Sequence, residues 1–151
     1  MSVDISSFGF EKTQDVLSYI KNNFDKDFMT SLHILCETIV AEARSNLQNN
    51  TNINTGDLLS SIRIIDEGDD YIIIGSDKEY AGYIEYGRGP VRPLKEGGWL
   101  HWIDKTTGKD VFAKFANAVE PSPFMEPAVV KHMIDFPDIY VTNTEKNISQ
   151  V

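Results

Sequence analysis

The chain has 151 residues, 41 % of them hydrophobic, and a formal charge of −9 from 23 acids and 14 bases. That size and composition fit one globular domain, and the acidic balance argues against a general nucleic-acid binder, which needs Lys and Arg for phosphates. No apolar run approaches the ~18–20 residues of a membrane helix, the opening MSVDISSFGF lacks the basic-then-apolar order of a signal peptide, and the single Cys36 excludes an intramolecular disulfide or a multi-cysteine metal site.

The charge is unevenly placed. Residues 1–86 hold 15 acids and 6 bases, whereas residues 87–151 hold 8 of each. An acidic surface and a neutral or basic one on the same chain suit head-to-tail packing of identical subunits.

Taken in order, Val16, Leu17, Ile20 and Phe24 recur at helical spacing over 11–24, with Thr13 and Asp15 suited to the helix start. Phe28, Leu32, Leu35, Ile39, Ala43 and Leu47 then mark a long amphipathic helix over 27–48. Asn22 and Asn23 are expected to bend or break the junction between them. Cys36 lies in the apolar run LHILC and reads as a small buried hydrophobe. The Asn-rich run NLQNNTNINTG ends the helix. A short helical turn at Asp57–Ser60 leads into strands at Ile62–Asp66 and Tyr71–Gly75, joined by an acidic turn around Gly68, which together read as a hairpin.

Tyr80, Tyr83 and Tyr86 fall at intervals of three, on one face of a short helix. Glycines and prolines then mark a long irregular loop over 87–98. Strands are expected at Trp99–Ile103 and Val111–Val119, and a closing helix at Phe124–Phe136, with Pro127 near its first turn, where proline is tolerated. After Pro137 the polar stretch 138–151 reads as an extended tail. The whole is a single α+β domain over 1–137: a long N-terminal helix, or two, a small antiparallel sheet of about four strands, a C-terminal helix and a long loop.

Catalytic spacing is missing. His33, His101 and His132 lie in three different predicted elements, and there is no HExxH, Walker loop, GxSxG or CxxC. His33 reads as a core or boundary residue, and His101 as a strand residue alternating with Trp99 and Trp102. The DEGDD turn lacks the 1-3-5 ligand spacing of a calcium loop. The chain is therefore expected to be no enzyme and to need no cofactor or metal.

Four segments carry signal by their order: INTGDLLSSI at 53–62, a hairpin ending in IIIGSD, EYAGYIEYGRG at 79–89, and PSPFMEPAV at 121–129. The ordered set resembles a family of siphophage neck and tail-completion proteins, minor tail components distantly similar to the lambda minor tail protein Z. The family pattern falls here on Thr55, Gly56, Leu58, Ser61 and Ile62; on Tyr80, Ala81, Tyr83, Glu85, Tyr86 and Gly87; and on Pro121, Pro123, Phe124, Pro127 and Ala128. The resemblance spans roughly residues 28–136, so the 11–24 helix and the 138–151 tail read as additions.

The residues make chemical sense by themselves. Thr55 can cap a turn through its hydroxyl, Gly56 permits a backbone other residues adopt at a cost, and Leu58 and Ile62, four apart, can both face the core. Glu85 could accept hydrogen bonds from a backbone or a neighbouring Arg. In the 87–98 loop the bases Arg88, Arg92 and Lys95 outnumber the single acid Glu96; with Trp99 they form a candidate subunit interface, meeting either the acidic face of the next subunit or, less favoured, DNA phosphates in a channel.

The resemblance implies a virion structural protein, made in the host cytoplasm and placed in the tail or neck, that joins tails to heads as a ring around the DNA channel. The implied partners are other copies of itself, in a hexamer; a tail terminator or tube protein; and a head-closure or connector protein. Passing DNA would be touched weakly, and no membrane is involved. A second reading makes the chain a soluble binding module or small enzyme of a mobile element, with the 87–98 loop as its site and Trp99, Trp102, Tyr83 and Tyr86 lining a pocket.

Overall fold

The computed structural model describes residues 8–49, 56–104 and 107–150, with only the backbone for 8–12. One helix, α1, runs unbroken from Phe8 to Asn49. The expected break at Asn22–Asn23 is absent: Asn23 donates its side-chain amide to the Tyr19 carbonyl one turn back (2.9 Å), so it caps nothing and interrupts nothing. The helix also starts before Thr13 and Asp15.

The remaining elements are α2 (Gly56–Ser61), β1 (Arg63–Glu67), β2 (Ile72–Gly75), α3 (Ala81–Tyr86), β3 (Leu100–Ile103), β4 (Asp110–Ala113), α4 (Met125–His132) and α5 (Phe136–Ile148), with a 3-10 turn at Met133–Asp135. The class is α+β as expected, but the strands form two separate antiparallel pairs, β1–β2 and β3–β4. In the first pair the register slips between Ile64 and Asp66; such a bulge bends the hairpin locally. Its acidic turn closes where the Gly68 N–H donates to the Tyr71 carbonyl (2.9 Å).

The core lies along the C-terminal half of α1. Leu35, Ile39, Ala43 and Leu47, on one helical stripe, bury against Leu58 and Ile62 around α2 and against Phe124 and Ala128 at α4. Ala43 and Ala128 are both fully buried, and small side chains at such positions let helices approach closely. Cys36 is buried as expected, and burial pushes its thiol up from the ordinary range. Arg44 donates from Nε and Nη2 to the Ile62 carbonyl (3.0 and 2.6 Å), which ties the end of the α2 segment to α1. On the opposite flank Lys131 of α4 donates to Glu42 of α1 (2.7 Å), and this ammonium holds the Glu42 carboxyl below the usual carboxylate range.

The expected extended tail is largely helix. Pro137 sits in the first turn of α5 rather than beyond the end of a helix, because the first-turn N–H positions have no intrahelical acceptor to lose. Phe136 and Tyr140 meet the aromatic side chains of α1: the Phe28 and Phe136 rings are 5.2 Å apart and the Phe24 and Tyr140 rings 5.9 Å. One turn further on, Asn143 donates to the Asp27 carbonyl and the Ser31 hydroxyl, and Asn147 donates to the Asp27 carboxylate (3.0 Å). Asp27 and Ser31 are buried, and the Tyr19 hydroxyl also donates to Asp27, whose contact adds to partial burial in raising the phenol above its ordinary range. The face of α5 turned to α1 is thus half polar.

Candidate assembly surface

Leu58, Ile62, Glu85, Phe124 and Ala128 from the three quoted motifs are buried and meet at one junction. Leu58 and Ile62 are fully buried, and the Ser61 hydroxyl donates to the Leu58 carbonyl (2.7 Å) and lies 2.6 Å from the Ser76 hydroxyl after β2. Gly56 opens α2 and does not take a left-handed backbone, so the conformational freedom expected of it is not what the fold uses. Thr55 lies outside the described residues.

Glu85 joins the second motif to the third. Its side chain is buried, with Oε2 accepting from the backbone N–H groups of Phe124 (2.9 Å) and Met125 (3.0 Å), and Oε1 from that of Glu126 (2.8 Å). Phe124, the N-cap of α4, offers no side-chain cap. A carboxylate from α3, 39 to 41 residues away in sequence, supplies it instead. Charge-assisted bonds to unpaired N–H groups at the positive end of a helix are the strong kind. Pro127 stands one residue further on and has no N–H to satisfy. Asn46 of α1 donates to the Phe124 carbonyl (3.1 Å), closing the junction from the other side. The alternative acceptor role for Glu85, toward a neighbouring Arg, is not the one adopted.

Gly87 ends α3 at φ 75°, and a Cβ there would stand 2.8 Å from the Val119 carbonyl oxygen. Only glycine fits both demands. The tyrosines divide at this point: Tyr80 and Ala81 pack against the core, whereas Tyr83 and Tyr86 are exposed.

Beyond Gly87 the chain leaves the body as a ribbon. Arg88 and Val119 exchange both backbone hydrogen bonds (2.8 and 2.7 Å), as do Val91 and Ala116 (2.9 Å each). Arg88 and Val91 of the expected irregular loop therefore continue the β3–β4 pair toward the body as isolated bridges, and no bridge falls within 92–98. The expected strand over Val111–Val119 is correspondingly shorter and shifted, at Asp110–Ala113, with isolated bridges at Ala116 and Val119. At the far end the Gly108 N–H donates to the Asp104 carbonyl (2.7 Å), with Gly108 at φ 67°. Neither β3 nor β4 packs substantially against α1, β1 or β2; each packs chiefly on the other.

The register places Trp99, His101, Ile103, Asp110, Phe112 and Lys114 on one face of this arm, because side chains alternate along a strand. The Lys114 ammonium sits 4.1 Å from the Trp99 ring centroid and donates to the Gly98 carbonyl (3.0 Å). The His101 ring stacks on Phe112 at 4.5 Å and contacts the Asp110 carboxylate at 2.6 Å. Trp99, Ile103 and Phe112 are each about 60 % exposed. Trp102 lies on the opposite face, so His101 alternates with Trp102 but shares its face with Trp99, and the two tryptophans do not line one pocket.

The bases of the candidate interface flank the arm. Arg88 lies over the exposed Tyr83 ring (6.0 Å) and Arg92 over Phe115 (5.7 Å). Lys95, beside the fully exposed Leu94, has its carbonyl tied to Gly98 N–H (2.9 Å). Ile103, Phe112 and Lys114 belong to the same surface but carried no sequence signal beyond two strands with apolar residues on both faces.

A second feature lies across the molecule. A groove of about 1000 Å³ runs between α1 and the β1–β2 turn. Phe24, Phe28, Met29 and Ile34 form its apolar wall, and Glu67, Asp69 and Asp70 its acidic rim. His33 stands in it half-exposed, 3.3 Å from Glu67 and 3.5 Å from Glu37, a boundary residue. No group of His, Cys, Asp and Glu among the described residues has the arrangement to hold a metal ion, and no described helix is long and apolar enough to cross a membrane.

One family model, "Bacteriophage HK97-gp10, putative tail-component", matches residues 12–87. The chain belongs to this family. It is thus a phage tail component, a structural part placed in the tail of the virion, as the siphophage resemblance implied. The match starts inside α1 and ends at Gly87, where the arm begins. No curated protein and no solved structure matches the chain.

Proposed function

We propose that this tail component works in the neck: a tail-completion subunit, without catalytic activity, that helps join tails to DNA-filled heads as a ring around the DNA channel. The observation that carries the reading is the arm. It exposes Trp99, Ile103 and Phe112 on a ribbon that the other described residues leave uncovered, and such patches mark surfaces that other proteins cover. Arg88, Arg92 and Lys95 on its flank match the acidic first part of a neighbouring copy, a heterologous contact of the kind that closes rings. The copy number of six comes from the resemblance. A tail terminator or tube protein on one side, and a head-closure or connector protein on the other, complete the partners. The acidic balance keeps contact with passing DNA weak, since it repels phosphates.

The test has two parts. Mass spectrometry of purified particles should find the protein in mature virions, and its absence there would overturn the structural reading. Replacing Arg88 and Arg92 together with Glu should cut the yield of joined particles; unchanged joining would remove these residues from the interface.

A further inference from the structure

The arm and the groove answer each other in chemistry, yet they sit on different parts of one chain and do not meet. The arm segment 88–119 holds six bases and three acids, whereas the β1–β2 turn, 66–70, holds four acids and no base. The arm offers apolar side chains that stand out of it. The groove offers apolar walls that recede, and Phe24 and Ile34 on those walls are themselves half-exposed. The apolar stripe continues along α1 from Phe24 to Ile20 and Leu17, also exposed, at helical spacing.

We infer that the exposed face of the arm, with Trp99, Ile103 and Phe112, seats in the α1/β1–β2 groove of a second copy of this chain, with Lys114 on the same face turned to Asp69 and Asp70. The inference rests on the ring reading above and names its contact. Complementary patches at two different places on one chain make a head-to-tail contact, which repeats until it closes. The apolar face supplies the buried centre, and the opposite charges on the rim set orientation and reject a reversed seating. The groove volume is of the size that holds a few large side chains rather than a whole element.

Zero-length carbodiimide coupling of lysines to carboxylates in purified virions tests this. The expected result is a dimeric band on a denaturing gel whose peptides join Lys114 to Asp69 or Asp70. Lys114→Glu should lower joined particles about tenfold, and adding Asp70→Lys should restore them. Thermal melts of each purified variant should match the parent, since these side chains lie outside the core. Couplings only to another virion protein, couplings confined to the monomer band, or failure of the double variant to recover each overturn the contact while leaving the neck assignment standing. A protein missing from the particles overturns both.

Discussion

The helical body and the arm use the same kinds of side chain for opposite ends. Leu58, Ile62 and Ala128 in the body are wholly buried, while Ile103 and Phe112 in the arm are 62 % exposed. In the body, buried apolar residues from three distant segments are held together by polar ties that satisfy their backbone, above all the Glu85 carboxylate at the start of α4. In the arm, backbone pairing and a few exposed side-chain contacts fix the shape, and the apolar residues stay outside. A two-stranded ribbon has little independent stability in water. Its root therefore matters: Gly87 and the Arg88–Val119 pairing anchor it directly beside the Glu85 cap.

This contrast can be broken at three points. The largest effect should come from Leu58→Ala, which empties a fully buried site and should cost about 3 kcal/mol in urea denaturation; a loss under about 1 kcal/mol would mean that α2 is not part of the core. Glu85→Ala should come next. It leaves three backbone N–H groups at α4 without their acceptor and should cost about 2 kcal/mol, with Glu85→Gln retaining part of the stability because one oxygen remains. Equal losses in the two variants would show that one neutral oxygen is not enough and that the charge and second oxygen carry the cap, whereas Glu85→Gln matching the parent would show that they do nothing. Phe112→Ser should have the smallest effect on stability, within about 0.5 kcal/mol as for ordinary surface positions. It should nevertheless reduce particle joining, and a marked drop in melting temperature would place Phe112 in the fold rather than at a contact.

Several elements were readable without coordinates because their signal is local. The stripe Leu35, Ile39, Ala43, Leu47 has helical period, the acidic Gly68 turn separates two β-rich runs, and Leu58 and Ile62 share a face four residues apart. Two expectations failed for reasons that are also local. Asn22 and Asn23 looked like breakers, but a mid-helix Asn can bond back to its own helix. Residues 138–151 looked too polar to pack, because the face of α5 toward α1 carries Asn143 and Asn147, whose partners are the buried Asp27 and Ser31. A buried polar contact has no hydropathy signature.

What the sequence determined by itself is the α+β class, the long helix and the family, the last from the order of three motifs. Each of these depends on spacing within one segment or on the order of segments. Only the tertiary structure decided why those motifs belong together, through a carboxylate reaching across 39 residues to cap another helix. It alone also separated the apolar residues that fill the core from those on the arm. Composition is the same for both; the difference lies in whether another part of the chain comes near enough to exclude water.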